Sequence, residues 1–301
     1  MNRLIHTLAL FALLLVAPLA RAELKVLACE PEWGALVKEL AGDKVSVYVA
    51  TTALQDPHRI EARPSLVAAA RNAGLVVCTG AELEVGWLPL LIRQSGNSAI
   101  QPGKPGHFEA AAYVRMLDVP QRLDRADGDV HAAGNPHIQT DPRNITLVAE
   151  PLARRLAELD PANAATYQAR SADFQARWKA AIQRWEQSAA PLRGVPVVVL
   201  HKAFPYLQQW LGLVEVAALE PKPGVEPTSA HLSTVLAGLK TRPAKMILRA
   251  AYNDPRGADW LAERTQLPVV VLPFTVGGNE QAKDLFSLFD DTVQRLLKAN
   301  R

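Results

Sequence analysis

Short apolar runs rich in Val and Leu alternate with longer stretches of helical period along most of the chain. Leu24 to Ala28, Val45 to Ala50, Leu75 to Cys78, Val197 to Leu200, Lys245 to Leu248 and Val269 to Leu272 read as strands. Pro196 and Pro268 sit just before two of these runs, where a strand tolerates proline. Helical patterns fall between them, at Glu32 to Leu40, Ser65 to Asn72, Phe204 to Leu211 and Asp259 to Thr265. Continuously apolar strands separated by helices predict βαβ units, whose parallel sheets are covered on both faces.

The middle of the chain breaks the alternation. Asp141-Pro142 opens a helix running through Leu147, Leu152 and Leu156. Asp160-Pro161 restarts it, with Asp160 at the N-cap and Pro161 at the first helical position. No Gly or Pro follows until about Ala189, and Tyr167, Phe174, Trp178, Ile182 and Trp185 mostly recur at three- and four-residue steps. About 30 residues of helix would span about 45 Å, which suits a strut between two lobes. Pro191 and Gly194 then end it. The expected architecture is α/β, with two Rossmann-like lobes of parallel sheet joined by one long rigid helix. Lobe one is placed at 23–159, the connecting helix at 160–190 and lobe two at 191–301.

The first 22 residues stand apart. Arg3 gives a short basic start, Leu8 to Val16 is continuously apolar, and Ala20-Arg21-Ala22 is an A-x-A cleavage site. That is the pattern of a secretory signal peptide. A membrane anchor needs roughly 20 apolar residues, and Pro18 and Arg21 cut this stretch short. Residue 23 is Glu rather than the Cys a lipoprotein would need. No later segment has the length and apolarity of a membrane span, so the mature protein is expected not to cross a membrane.

Composition narrows the function. Of 301 residues, 49% are hydrophobic and 21% charged, with 33 basic against 30 acidic side chains. This excludes a disordered tail protein and a strongly basic nucleic-acid binder. Removal of Arg3 and Arg21 with the leader would leave the chain nearly neutral, so no broad acidic field concentrates a cation. The two cysteines exclude a disulfide-dense scaffold. No HExxH, GxGxxG, P-loop, GxSxG or paired-cysteine zinc pattern occurs.

Six histidines follow the leader: His58, His107, His131, His137, His201 and His231. His58 ends Asp56-Pro57-His58, just after the second strand, and His201 directly follows the strand Val197 to Leu200. Groups just beyond the carboxyl ends of parallel strands line the ligand crevice of such sheets. His137 ends Asn135-Pro136-His137, before the Asp141 helix. Taken singly, a loop histidine is most often solvated or hydrogen-bonded. Three neutral imidazoles converging on one point would make a zinc site.

These residues resemble the metal-binding (cluster A-I) solute-binding proteins of ABC transporters, which capture zinc or manganese outside the cytoplasmic membrane. The resemblance covers most of the mature chain. It rests on Pro57-His58, Arg63-Pro64-Ser65, Ala73-Gly74-Leu75-Val76-Val77 and Gly80-Ala81-Glu82-Leu83-Glu84, in that order. Asn135-Pro136-His137-Ile138, Asp141-Pro142-Arg143-Asn144 and Leu159-Asp160-Pro161-Ala162-Asn163 continue it, and Glu226-Pro227-Thr228 is similar to a family loop.

The resemblance implies a metal site in the cleft between the lobes, with His58, His137 and His201 as ligands. His at the third position implies the zinc branch, since manganese members tend to have Glu there. It further implies a periplasmic protein delivering Zn²⁺ to an ABC transporter permease. A periplasmic metallochaperone is a candidate donor, and the protein is expected to be a monomer without nucleic-acid or catalytic function. The sequence departs from the family where many members place an Asp ligand after the last strand: Val271 to Gly278 holds no carboxylate. Glu280, Asp284 or a water are the candidates for the fourth position. Gln139 stands where the family usually has an aromatic residue. The His-rich loop is nearly absent, leaving His131 and His107. His131 is either a hand-off residue or a solvated loop residue, and His231 is expected at the surface.

The alternatives are a manganese-binding protein of the same class and a three-histidine zinc hydrolase or hydratase, for which Asp56 and Glu61 are the nearest acid/base groups. A surface adhesin or metal store is a third. Cys29 and Cys78 each end a lobe-one strand, and neighbouring strands lie about 4.8 Å apart. A disulfide, two buried thiols and a metal-ligand pair all remain open on that basis.

Overall fold

The computed structural model describes residues 23–122 and 128–301. The signal-peptide reading of residues 1–22 falls outside them. Lobe one is built on β1 (Leu24–Ala28), β2 (Val45–Val49), β3 (Leu75–Cys78) and β4 (His107–Glu109) in the order β2-β1-β3-β4. Lobe two is built on β5 (Pro196–Val199), β6 (Val214–Ala218), β7 (Met246–Ala250) and β8 (Val269–Leu272) in the order β6-β5-β7-β8. Every strand pair is parallel. The helices are α1 (Pro31–Ala41), α2 (Pro64–Asn72), α3 (Leu88–Ser95), α4 (Pro142–Leu159), α5 (Ala164–Ser188), α6 (Pro205–Leu211), α7 (Ser229–Gly238), α8 (Arg256–Thr265) and α9 (Leu285–Ala299). This is the expected α/β class, two parallel-sheet lobes with one long helix joining them.

Strands β4 and β6 escaped the sequence pattern for a physical reason. β4 has three residues, with Phe108 alone buried between His107 and Glu109 at the sheet edge. β6 is also an edge strand; Glu215 interrupts its apolar residues and none of the five is fully buried.

Strand periodicity sorts the core into faces, because successive side chains point to opposite sides of a sheet. Val26 and Ala28 of β1, Val197 and Val199 of β5, and Met246, Leu248 and Ala250 of β7 enter one large cluster. Leu27 packs instead on the outer face of lobe one, and Val198 and Ile247 on the outer face of lobe two. The large cluster includes Tyr167, Phe174, Trp178 and Trp185 of α5, so it runs through the strut and unites both lobes. The strut's α-helix has 25 residues, about 37 Å long, and follows a 3₁₀ turn at Pro161–Asn163. The Asp160 carboxylate accepts hydrogen bonds from the Tyr167 hydroxyl and the Asn163 amide, both at 2.7 Å. Asp141 caps α4, accepting from the Arg143 N–H at 2.8 Å.

Cys29 and Cys78 are joined as a disulfide with their Cα atoms 4.8 Å apart. They lie one step beyond Ala28 and Val77, which pair across β1 and β3. The bridge selects one of the three readings open from sequence and leaves neither sulfur as a free thiolate.

Glu32, at the start of α1, makes a buried contact across the lobes, accepting from the Thr275 hydroxyl beyond β8. Burial raises the Glu32 carboxyl from 4.5 to about 7, although the Thr275 bond works against the shift. The folded state therefore favours the neutral acid. That contribution to stability is complete below about 4.5 and is lost as pH rises through about 7. In chelator, the unfolding free energy should decline across this window. Glu32→Gln should flatten the decline and add on the order of 1–3 kcal/mol at pH 8. Denaturant titrations at several pH values check this; an unchanged profile would contradict it.

Candidate metal centre

The three histidines singled out from sequence meet between the lobes. One ligand-capable atom from each of His58, His137 and His201 lies within 4.8 Å of the others. The ring centroids are 5.3 Å apart for His58 and His137, 5.5 Å for His137 and His201, and 6.0 Å for His58 and His201. His58 sits on the loop after β2, His137 just before α4, and His201 two residues past the end of β5.

Two of the rings are aimed by carboxylates. His58 Nδ1 lies 2.7 Å from Asp56 Oδ1, which also accepts from the His58 backbone N–H at 3.0 Å. His201 Nδ1 lies 2.6 Å from Glu220 Oε2, which also accepts from the Gly224 N–H at 2.8 Å. In the neutral tautomer such an Nδ1–H donates to the carboxylate and leaves Nε2 with a free lone pair. Burial alone would raise the Asp56 carboxyl, but its bonds and attraction to His58 outweigh that and hold it below the ordinary value.

Glu220 escaped the sequence reading, and strand register explains its place. Val199 of β5 pairs with Ala218 of β6. His201 and Glu220 each stand two residues further on, with the Glu220 N–H donating to Leu200 O at 3.0 Å. The signal was an acid just past an edge strand, legible only once β6 is known to lie beside β5.

His137 is held differently. Its backbone N–H donates to Asn135 Oδ1 at 3.1 Å, and the Thr140 hydroxyl donates to its carbonyl at 2.9 Å. Asn135 reaches across the cleft, donating from Nδ2 to Lys202 O at 2.7 Å, beside His201. The Tyr206 hydroxyl of α6 donates to Asn135 O at 2.7 Å. The His137 ring, 1% exposed, meets Phe274 edge-on at 5.4 Å. Burial, followed by the charges of His58, His201 and His131, pushes its pKa well below the usual imidazole range. His137 is therefore neutral at physiological pH. Among the described residues, the buried Nε2 of His58 and Nδ1 of His137 find no hydrogen-bond partner.

The other sequence candidates fall elsewhere. His131 stacks on His58 at 5.3 Å and is half-buried, so it is part of the cleft wall. Burial, then the His58 charge, lowers its pKa to about 4. His107 is tied to Ile100 O at 3.0 Å and to Glu109 at 3.1 Å in lobe one. His231, expected at the surface, is half-buried because its Nε2 bonds to Ala218 O at 3.0 Å. Asp284 caps α9, accepting from the Ser287 N–H at 2.8 Å, and Glu280 is exposed. Neither joins the histidine cluster. Asp56 is spent on orienting His58, and Glu61 is exposed. Beside the triad opens a cleft of about 250 Å³ lined by His131, Asn135, His137, His201 and Lys202.

A family model described as zinc-uptake complex component A, periplasmic (ZnuA), matches residues 26–299. The high-affinity zinc uptake system protein ZnuA of Paracoccus denitrificans is 26% identical over 271 residues, covering 79% of each chain. The manganese ABC transporter substrate-binding lipoprotein PsaA of Streptococcus pneumoniae is 23% identical over 290 residues, covering 91% of this chain and 90% of its own. A zinc-bound internal-deletion mutant of ZnuA superposes with a TM-score of 0.75 at 25% identity, over 92% of this chain and 98% of that one. A metal-free periplasmic metal-binding protein from Candidatus Liberibacter asiaticus gives 0.75 at 17% identity, over 92% and 100%, a likeness of fold. Among the described residues, no helix is long and apolar enough to cross a membrane. The family and its homologues are substrate-binding proteins rather than enzymes. The chain belongs to the ZnuA family of metal-binding proteins that serve ABC transporters.

Proposed function

We propose that the protein captures Zn²⁺ in the periplasm with His58, His137 and His201 and delivers it to an ABC-type importer. The observation that carries this reading is the pair of buried ring nitrogens, His58 Nε2 and His137 Nδ1, without a partner among the described residues, in a cluster where carboxylates aim His58 and His201. A buried polar atom without a partner is costly, and a metal ion relieves that cost. An all-imidazole set suits zinc better than manganese, which prefers oxygen ligands. Tetrahedral zinc at about 2.0–2.1 Å from each nitrogen sets its ligands roughly 3.3 Å apart, so capture would draw the three rings together. A water or another ligand would complete the tetrahedron.

Calorimetry of the metal-free protein with zinc and manganese tests this. We expect one tight zinc site that manganese in excess does not displace. Tighter manganese binding, or no binding, would overturn the reading. Removing a carboxylate that orients a ligand should weaken the site less than removing the ligand. Glu220→Ala should lower zinc affinity about 10- to 100-fold, measured in the same titration; an unchanged affinity would show that Glu220 does not aim His201.

A further inference from the structure

A second, smaller cavity lies between the lobes, next to the histidine cluster. Glu30, Glu32, Thr51 and Gln139 of lobe one line it with Tyr252 and Thr275 of lobe two. Glu30, Glu32 and Gln139 are 3%, 1% and 2% exposed. Among the described residues, Gln139 Oε1 finds no hydrogen-bond partner, and Glu30 Oε1 finds none unless a proton is shared with the Glu84 carboxyl. Both are acceptors when Glu30 is ionised, so the cavity then lacks a donor or a cation.

Charge points the same way. Glu84 lies beside Glu30, its carboxylate accepting from the Thr79 N–H at 2.7 Å and the Gly80 N–H at 3.1 Å. None of Glu30, Glu32 and Glu84 is ion-paired with a Lys, Arg or His among the described residues. Buried acids without cationic partners must be balanced by protons or by a bound cation. A water molecule would supply donors but no charge.

We propose that this cavity binds one small, oxygen-preferring divalent cation of the Mg²⁺ class. The carboxylates of Glu30 and Glu32 would balance its charge, and Gln139 Oε1 and the Tyr252 and Thr275 hydroxyls would complete an all-oxygen set. Hard cations take such ligands, whereas the imidazole site does not suit them. The space, about 10 Å³ for the centre of a water-sized sphere, holds one such occupant. Its ligands come from both lobes, so occupancy would tie the lobes together. The proposal does not depend on which ion the histidines take.

Manganese serves as the probe, because it is hard, similar in size to Mg²⁺ and visible by electron paramagnetic resonance. The full mature chain is loaded with one equivalent of zinc and titrated with Mn²⁺; the His58→Ala/His137→Ala/His201→Ala variant is titrated without zinc. One Mn²⁺ per chain is expected in both, displaced by Mg²⁺. Glu30→Gln and Glu32→Gln should each weaken it by roughly tenfold or more, since charge count tunes such sites, and should keep the zinc isotherm of the parent. That isotherm also reports folding. Absence of bound Mn²⁺ in the zinc-loaded protein, binding lost with the histidines, or binding indifferent to both Glu substitutions would overturn the proposal. Failure of the histidine reading shows separately, as zinc still held by the triple variant.

Discussion

His137→Ala is expected to abolish tight zinc binding while the protein remains folded. The ring is buried and neutral, so at physiological pH it offers a lone pair without first releasing a proton. Its loss removes a ligand outright. The affinity should therefore fall by more than the roughly 10–100-fold cost of an outer-shell change. Its buried Nδ1 has no partner among the described residues, so truncation strands none of them. The structural cost is lost packing against Phe274, within the usual 0.5–3 kcal/mol of a point substitution. Calorimetry with a thermal melt of the same sample separates the two effects. A parent-like zinc affinity in a folded variant would remove His137 from the site.

The largest effect on stability is expected at Trp178, in the strut. Its side chain is fully buried. It stacks on Phe174 at 5.2 Å and meets Trp185, Phe286 and Phe289 at 5.2, 4.8 and 5.6 Å. Its indole N–H donates to Pro142 O at 2.8 Å, where α4 begins. Phe286 and Phe289 belong to α9 of lobe two, so one side chain joins the strut, α4 and the far lobe. Trp178→Ala should lower the unfolding free energy by about 3–5 kcal/mol, the lost indole bond to Pro142 O included. Trp178→Phe should recover part of the loss. Denaturant unfolding measures both, and a loss under about 1 kcal/mol for the alanine variant would mean that the strut is not a shared core.

The parts of this protein legible in its sequence are those fixed by local pattern. Continuous apolar runs at β3 and β5 mark buried parallel strands, because both faces of such strands are covered. His58 and His201 were legible because the ends of β2 and β5 were. His137 was marked by Asn135-Pro136 and by the Asp141 cap that follows it. What local pattern hides is order across the sheet. Glu220 orients His201 only because β6 lies beside β5, and β6 is a half-exposed edge strand interrupted by Glu215. His131 is similar: nothing nearby in sequence shows that its loop lays the ring on His58. Glu30 and Glu32 flank Pro31 and read as the ordinary solvated start of a helix. Their burial follows from Thr275, more than 240 residues away, crossing the cleft to meet Glu32.

The central claim is that three imidazoles from the two lobes hold one zinc ion. Anomalous diffraction at the zinc edge, on crystals of protein purified with its metal, tests it most directly. The account predicts one strong peak about 2.0–2.1 Å from a ring nitrogen of each of His58, His137 and His201. A zinc peak away from these rings, or a metal at the triad without zinc's absorption edge, would contradict it.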